Sequence, residues 1–449
     1  MQFDEADNES RHLLAPAAAP AKDPPGIHTR TLSVPLLAAL YFFTVAGGPI
    51  GSESIVSTLG PLVGLVCLAV YPFIYSLPIS LTTAELSAAY SESGGYVHWC
   101  YHAFGPRTAF VCGALSYLSG IADSAIYPGL FVSYMTSTFG ALADDSAIAA
   151  ASKIAFICFW FMVVFSGIKV VGQTAFVLGG IVLLPFFVFV CVGLPQVDPA
   201  RWLGGVSASV TPNGTTTSTS SPPLTWTDYC TFASVLYWNF SGFDCASTFA
   251  GEVKNPGRTY PLALVFALFM TILSYALPLL LGVMATDPST VTNWGNDPGE
   301  CSFSCIVESI GGHWLSVWIL LSSLFGNMAM YIAEMFEDSW QLYGMSESGM
   351  LPSFVGYRHP KYNTPLNAIG INFVLIAGLV YFDFSDNLAI NNFFSCASAM
   401  LEMVAFLSLR TSQPGLKRPY KIPFGTLGSF LFLVTPLLLG SLVLYSGCM

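Results

Sequence analysis

The chain has 449 residues, of which 54% are hydrophobic and 9% charged, with a mean hydropathy of +0.64. A soluble domain carries roughly 25% charged residues, so this composition excludes an ordinary soluble globule and points to one all-α integral membrane domain in a lipid bilayer. The net charge of −11 leaves no basic face for nucleic acid, and the eleven cysteines form no His/Cys cluster with metal-ligand spacing.

Residues 1–31 are polar, with Pro and Ala from Ala15 to Pro25 and no apolar core. They read as a disordered tail rather than a signal peptide. Eleven hydrophobic stretches of about 17–25 residues follow, the length that crosses a bilayer. They lie near 33–58, 61–85, 108–137, 152–168, 171–194, 227–251, 261–284, 313–342, 366–383, 387–409 and 426–446. The first is broken by Gly47-Gly48-Pro49-Ile50-Gly51-Ser52-Glu53 and the sixth by Trp238-Asn239-Phe240-Ser241-Gly242-Phe243-Asp244. Glycine and proline release backbone groups there, which a bilayer tolerates only where they are buried in protein or line a wet cavity. Matching broken spans in two halves of a chain point to a transporter's substrate site.

Placing the amino terminus in the cytoplasm leaves only Lys153 and Arg201, of 15 Lys and Arg, on the outside, as the positive-inside bias requires. The loop 195–226 is then extracellular, and it carries a glycosylation sequon at Asn213. Cys301 and Cys305 share another outer loop and could bridge. An odd number of spans separates the two broken helices, so blocks 32–194 and 227–410 run with opposite topology: a five-plus-five inverted repeat. Residues 411–449 supply a cytoplasmic loop and the eleventh span.

The spans carry Glu53, Glu85, Asp123, Asp244, Glu334, Glu337, Asp338 and Glu402, and no Lys or Arg is expected at their depth. A charge at the bilayer centre costs roughly 2.5–3.5 kcal/mol on insertion scales. Such acids are either protonated or completed by a cation from solution; for Glu53, Glu337, Asp338 and Glu402 the alternative is a helix end in water. Asp123 and Tyr127 share a face of the third helix, Gly120 opens room beside them, and Tyr331 and Glu334 share a face of the eighth. Tyr237, Trp238, Phe240 and Phe243 crowd the second break, where aromatic rings suit an alkylammonium ion.

Several stretches resemble the amino acid–polyamine–organocation superfamily, and within it the polyamine uptake transporters of plants and trypanosomatids. They are Gly47-Gly48-Pro49, Glu85 through Gly94-Gly95-Tyr96, Ser119 through Pro128, Gly251-Glu252-Val253-Lys254-Asn255-Pro256, Leu401 through Phe406 and Arg418-Pro419-Tyr420-Lys421-Ile422-Pro423. The resemblance spans about 32–430. It implies a LeuT-like fold and proton-coupled uptake of putrescine, cadaverine or spermidine at the plasma membrane, with no cofactor. Bacterial polyamine exchangers carry an acid after a Phe-x-Gly motif in the sixth helix, and Asp244 stands there. On this reading Asp244 takes one ammonium group, and Asp123 with Tyr127, or alternatively Glu53, takes the other. Asn239, Ser241 and the backbone near Gly48 add hydrogen bonds, Phe240 and Phe243 cover the methylenes, and Glu85, Glu334 or Glu402 carries the proton. The family usually has twelve spans; after eleven the carboxyl end would lie outside. Rival readings are a carrier of arginine or lysine and a non-transporting nutrient receptor. No nucleophile–base pair favours an enzyme.

Overall fold

Proline and glycine set where the helices begin and end. In a computed structural model, the residues described are 30–49, 51–139, 146–198, 224–291, 293–295, 302–382 and 384–447. Asn213, Cys301 and residues 1–29 lie outside them. Helix α1 (Val34–Phe43) starts with Pro35 in its first turn and stops at Thr44. Gly48 and Gly51 then adopt φ of +110° and +92°, a region that glycine enters without a Cβ penalty, and the chain resumes as α2 (Glu53–Thr58). Helix α3 (Pro61–Ala89) contains a π-turn over Pro72–Ser76, between Pro72 and Pro78. The short α4 (Tyr96–Phe104) leads to α5 (Pro106–Phe139), α6 (Ser146–Phe165) and α7 (Ile168–Gly193).

The second block opens with α8 (Trp226–Phe240), begun by a capping box in which Thr225 and Asp228 satisfy each other's backbone N–H groups. It stops at Ser241; Gly242 has φ +90°, and short 3₁₀ turns follow over Cys245–Thr248 and Ala250–Glu252. Next come α9 (Pro256–Ala285), α10 (Phe303–Gly311), α11 (His313–Glu347), α12 (Leu366–Leu379), α13 (Phe384–Ser412) and α14 (Thr426–Gly447). Eight of these are long and apolar enough to cross a membrane, by length and composition alone: α3, α5, α6, α7, α9, α11, α13 and α14. The other three expected stretches fall on α1–α2, α8 and α12. Two of those are the broken ones, so neither half reaches full length alone.

The breaks meet in the middle of the bundle. Thr44 Oγ1 donates to Tyr41 O (3.1 Å) and to Gly242 O (3.4 Å). A Cβ on Gly242 would lie 2.3 Å from Thr44 O, so glycine is what lets the two backbones touch. Carbonyls freed by the breaks find hydroxyls on neighbouring helices: Phe240 O accepts from Ser76 in the π-turn (2.8 Å), and Val45 O from Tyr275 (3.3 Å). This is the burial that broken spans require. Helix α11 packs on α5 and α7, and α13 on α5 and α14. Outward-facing Phe159, Phe187 and Val374 are exposed, as suits contact with lipid chains.

Both ends of the bundle are tied. At the end where the chain enters α1, Thr31 N and Leu32 N donate to Glu252 O (2.9 and 3.1 Å), and Lys254 N returns a bond to Leu32 O (3.0 Å). The Glu252 side chain pairs with Arg358 at 2.6 Å, whose guanidinium lies 4.7 Å from the Trp340 ring and 5.1 Å from Tyr343. At the opposite side of the first break, the Glu53 carboxylate accepts from Gly51 N (2.7 Å) and from Phe303 N (2.8 Å), the first residue of α10. Cys305 on α10 is disulfide-bonded.

Candidate substrate cavity

A cavity lies where the two breaks meet α5, α11 and α13. Thr44 and Val45 come from the first break, and Trp238, Ser241, Gly242, Asp244 and Cys245 from the second. Helix α5 contributes Ser116, Ser119, Gly120, Asp123 and Tyr127; α11 adds Met330, Glu334 and Glu337; α13 adds Asn391, Ser395 and Ser398. Four carboxyl groups line it, and no Lys, Arg or His does among the described residues.

Each acid is held differently. Asp123 Oδ1 accepts from Trp238 Nε1 (3.1 Å) and Asn391 Nδ2 (3.2 Å), and its Oδ2 from the Tyr127 hydroxyl (2.9 Å). Ser119 fixes Asn391 by donating to its Oδ1 at 2.6 Å. Just over two helical turns of α5 therefore supply Ser119, Asp123 and Tyr127 on a single face, at the i, i+4 spacing that pairs Asp123 with Tyr127 in the sequence. Glu337 accepts from the Tyr96 hydroxyl (2.9 Å), which itself accepts from Ser116 (2.7 Å). Asp244 shares a hydrogen bond with Glu402 of α13, and Ser398 donates to Glu402 at 3.0 Å. Glu334 faces the cavity with no hydrogen-bond partner among the described residues.

Several expected site residues fall elsewhere. Phe240 is fully buried against Tyr71 (5.9 Å) and Tyr275 (5.4 Å), and Phe243 is buried too; neither lines the cavity. The aromatic groups at the cavity are Trp238 and Tyr127 instead. The helix ends at Phe240 and the chain turns extended at Ser241, so Ser241, Gly242 and Asp244 meet the cavity while both phenylalanines point into the protein. Asn239 donates to Val235 O in its own helix (2.8 Å). Gly48 packs against Phe186, 3.1 Å from where its Cβ would stand. Glu53 is buried at the start of α10 rather than in the cavity or in water. Tyr331 packs on Phe156 (5.2 Å). Ser241 and Tyr127 do line the site.

Two corrections concern the acids. Glu85 has basic partners after all: Arg410 Nη2 at 2.5 Å and Arg418 Nε at 2.9 Å, each arginine 4% exposed. Arg410 sits in the last turn of α13 and Arg418 in the loop beyond, which the sequence assigns to the cytoplasmic surface; the fold tucks both inward. The water-exposed helix ends envisaged for Glu337, Asp338 and Glu402 are also absent, since all three are at most 4% exposed. Asp338 takes the room beside Gly120, where an added Cβ would lie 2.0 Å from its Oδ1. Asn391 and Ser119 were not singled out from the sequence. Asn391-Asn392 inside an apolar helix was the available signal, because amides at that depth need a partner.

The amino acid permease family model matches residues 38–443. The sequence is 39% identical over 415 residues to Polyamine transporter PUT1 of Oryza sativa subsp. japonica, covering 92% of this chain and 74% of that one. It is 37% identical over 410 residues to Probable polyamine transporter At1g31830 of Arabidopsis thaliana, covering 91% and 78%. It is also 36% identical over 426 residues to Polyamine transporter RMV1 of the same plant, covering 94% and 82%.

Proposed function

The chain belongs to the amino acid permease family, whose fold is LeuT-like and whose members are secondary transporters, and we propose that its cargo is a polyamine: putrescine, cadaverine or spermidine. The observation that carries this reading is the cavity itself, lined by Asp123, Asp244, Glu334 and Glu337 with no Lys, Arg or His among the described residues that line it. Buried charge is retained only where a partner completes it, and a multiply charged amine is a partner that matches several acids at once. The names of the similar plant proteins support the same cargo.

Asp244 receives one ammonium group, and Ser241 beside it offers a neutral hydrogen bond. Asp123, Tyr127 and Trp238 line the same cavity, where the indole covers methylenes and attracts cationic groups through its π face. The transported proton belongs to Glu402, which faces Asp244 directly. Glu85 is held by two arginines and has a structural role. Access alternates as the block 227–410 rocks against 32–194: one motion breaks the backbone tie of Leu32 to Glu252 and Lys254, the other the Glu53–Phe303 tie. The protein acts in the plasma membrane, with its amino terminus and the segment 1–31 in the cytoplasm. A dication moving down the membrane potential gains roughly 4.6 kcal/mol per 100 mV, about three orders of magnitude in accumulation, and proton symport adds to that.

A cationic amino acid fits less well, because its carboxylate would enter a site of four acids. Radiolabelled putrescine uptake in a polyamine-auxotrophic host tests the reading. Asp244→Asn abolishes uptake at unchanged surface expression; normal uptake by that variant, or competition by arginine and not by putrescine, refutes it.

A further inference from the structure

Three of the four cavity acids already have donors. Asp123 accepts from Tyr127, Trp238 and Asn391, and Glu337 from Tyr96. Asp244 has Glu402. Glu334 is the exception: it is 4% exposed, faces the cavity, and has no hydrogen-bond partner among the described residues. The charged groups around it are all acids: Asp123 foremost, then Glu337, Asp338 and Asp244. A buried carboxyl group in such surroundings is left without compensation unless something enters the cavity to meet it.

From this geometry we infer that Glu334 receives the second ammonium group of the substrate, across the cavity from Asp244, and that Asp123 is a positioning residue. The inference rests on the polyamine reading. Asp123 has spent both oxygens on neutral donors, and its work is to hold Trp238 and Asn391 in place. Glu334 has both oxygens to offer. Met330 stands one turn earlier on the same face of α11 and also lines the cavity. Its thioether is a flexible apolar surface for the methylene chain that leads to the Glu334 carboxylate. Glu334 therefore measures the substrate: a molecule with a cationic group at each end satisfies Asp244 and Glu334 together, and a monoamine satisfies only one.

The test compares putrescine with butylamine, which has the same four carbons and one ammonium group fewer, as competitors of labelled putrescine uptake. The wild type prefers the diamine. Glu334→Gln lowers that preference by about tenfold or more, the worth of one charge-assisted hydrogen bond, while Asp123→Asn slows uptake and keeps the preference. Because the preference is a ratio within one protein, expression level cancels. If Glu334→Gln is too poorly folded to measure, Glu334→Asp withdraws the carboxylate by one methylene and moves the optimum from putrescine toward the longer cadaverine. An unchanged ratio in Glu334→Gln, or an unchanged optimum in Glu334→Asp, overturns the inference. A loss of stimulation by external acid with the ratio intact does so too, since it makes Glu334 the proton carrier. If the wild type takes up no diamine, the polyamine reading itself falls.

Discussion

Glu85→Gln separates a structural acid from a coupling acid. Glu85 is fully buried, with Arg410 at 2.5 Å, Arg418 at 2.9 Å and the Ile422 backbone N–H at 2.8 Å from its oxygens. The two arginines in turn hold the segment after α13: Arg410 donates to Phe424 O (3.0 Å) and Ile422 O (3.2 Å), and Arg418 to Leu409 O (3.0 Å) and Gln413 O (3.2 Å). Glutamine keeps the shape and removes the charge, so two buried guanidinium groups are left with carbonyl dipoles alone. Breaking a buried ion pair from one side costs about 3–5 kcal/mol. At roughly 2.1 cal/mol/K per residue, a chain of this length unfolds with an entropy of about 0.9 kcal/mol/K, so the melting temperature falls by roughly 3–6 °C. Fluorescence-detected size exclusion after heating in detergent reads this directly. Uptake per folded molecule should keep its response to an imposed pH gradient. The reasoning is refuted if Glu85→Gln melts like the wild type and loses that response, because Glu85 would then be the proton carrier that its place in a hydrophobic stretch first implied.

Gly344→Ala tests the crossing of α11 with the loop before α4. The new Cβ would lie 2.3 Å from Gly94 Cα and 2.5 Å from Ser93 O, a collision with backbone that cannot rotate away. Overpacking of this kind costs about 1–3 kcal/mol, and a thermal melt within error of the wild type contradicts it. A further prediction concerns His98 in α4, outside the membrane-spanning helices, whose ring Nε2 donates to Ser93 O (2.7 Å). Burial holds its pKa below the ordinary histidine value, so below about pH 6.5 the unfolded chain binds more protons than the folded one. Stability therefore falls as pH drops through that window, and His98→Gln should flatten the melting-temperature profile between about pH 7.5 and 5.5; an unchanged slope argues against the assignment.

The parts of this fold that the sequence makes legible are those set by local chemistry. Eleven apolar stretches fall on helices because twenty apolar residues have few other options in a bilayer. The two breaks lie where Gly47-Gly48-Pro49 and Ser241-Gly242 stand, since no regular helix survives them. Asp123 and Tyr127 were found together because a helix brings i and i+4 to one face. What stayed hidden depends on how chain segments return. Glu85 and Arg410 are 325 positions apart, and no periodicity links them, so an acid that looked unpaired proved to be paired twice. Phe240 and Phe243 flank the break as expected, yet their direction depends on the backbone turn at Ser241, which spacing does not give. Glu334 shows the reverse case. On the sequence it is one of three candidate proton carriers, with Tyr331 on its face of the helix and nothing that marks it as a ligand of the substrate. It stands out only after Tyr127, Trp238, Asn391, Tyr96 and Glu402 have each been assigned to another acid, leaving one of the four carboxyl groups at the cavity without a hydrogen-bond partner among the described residues.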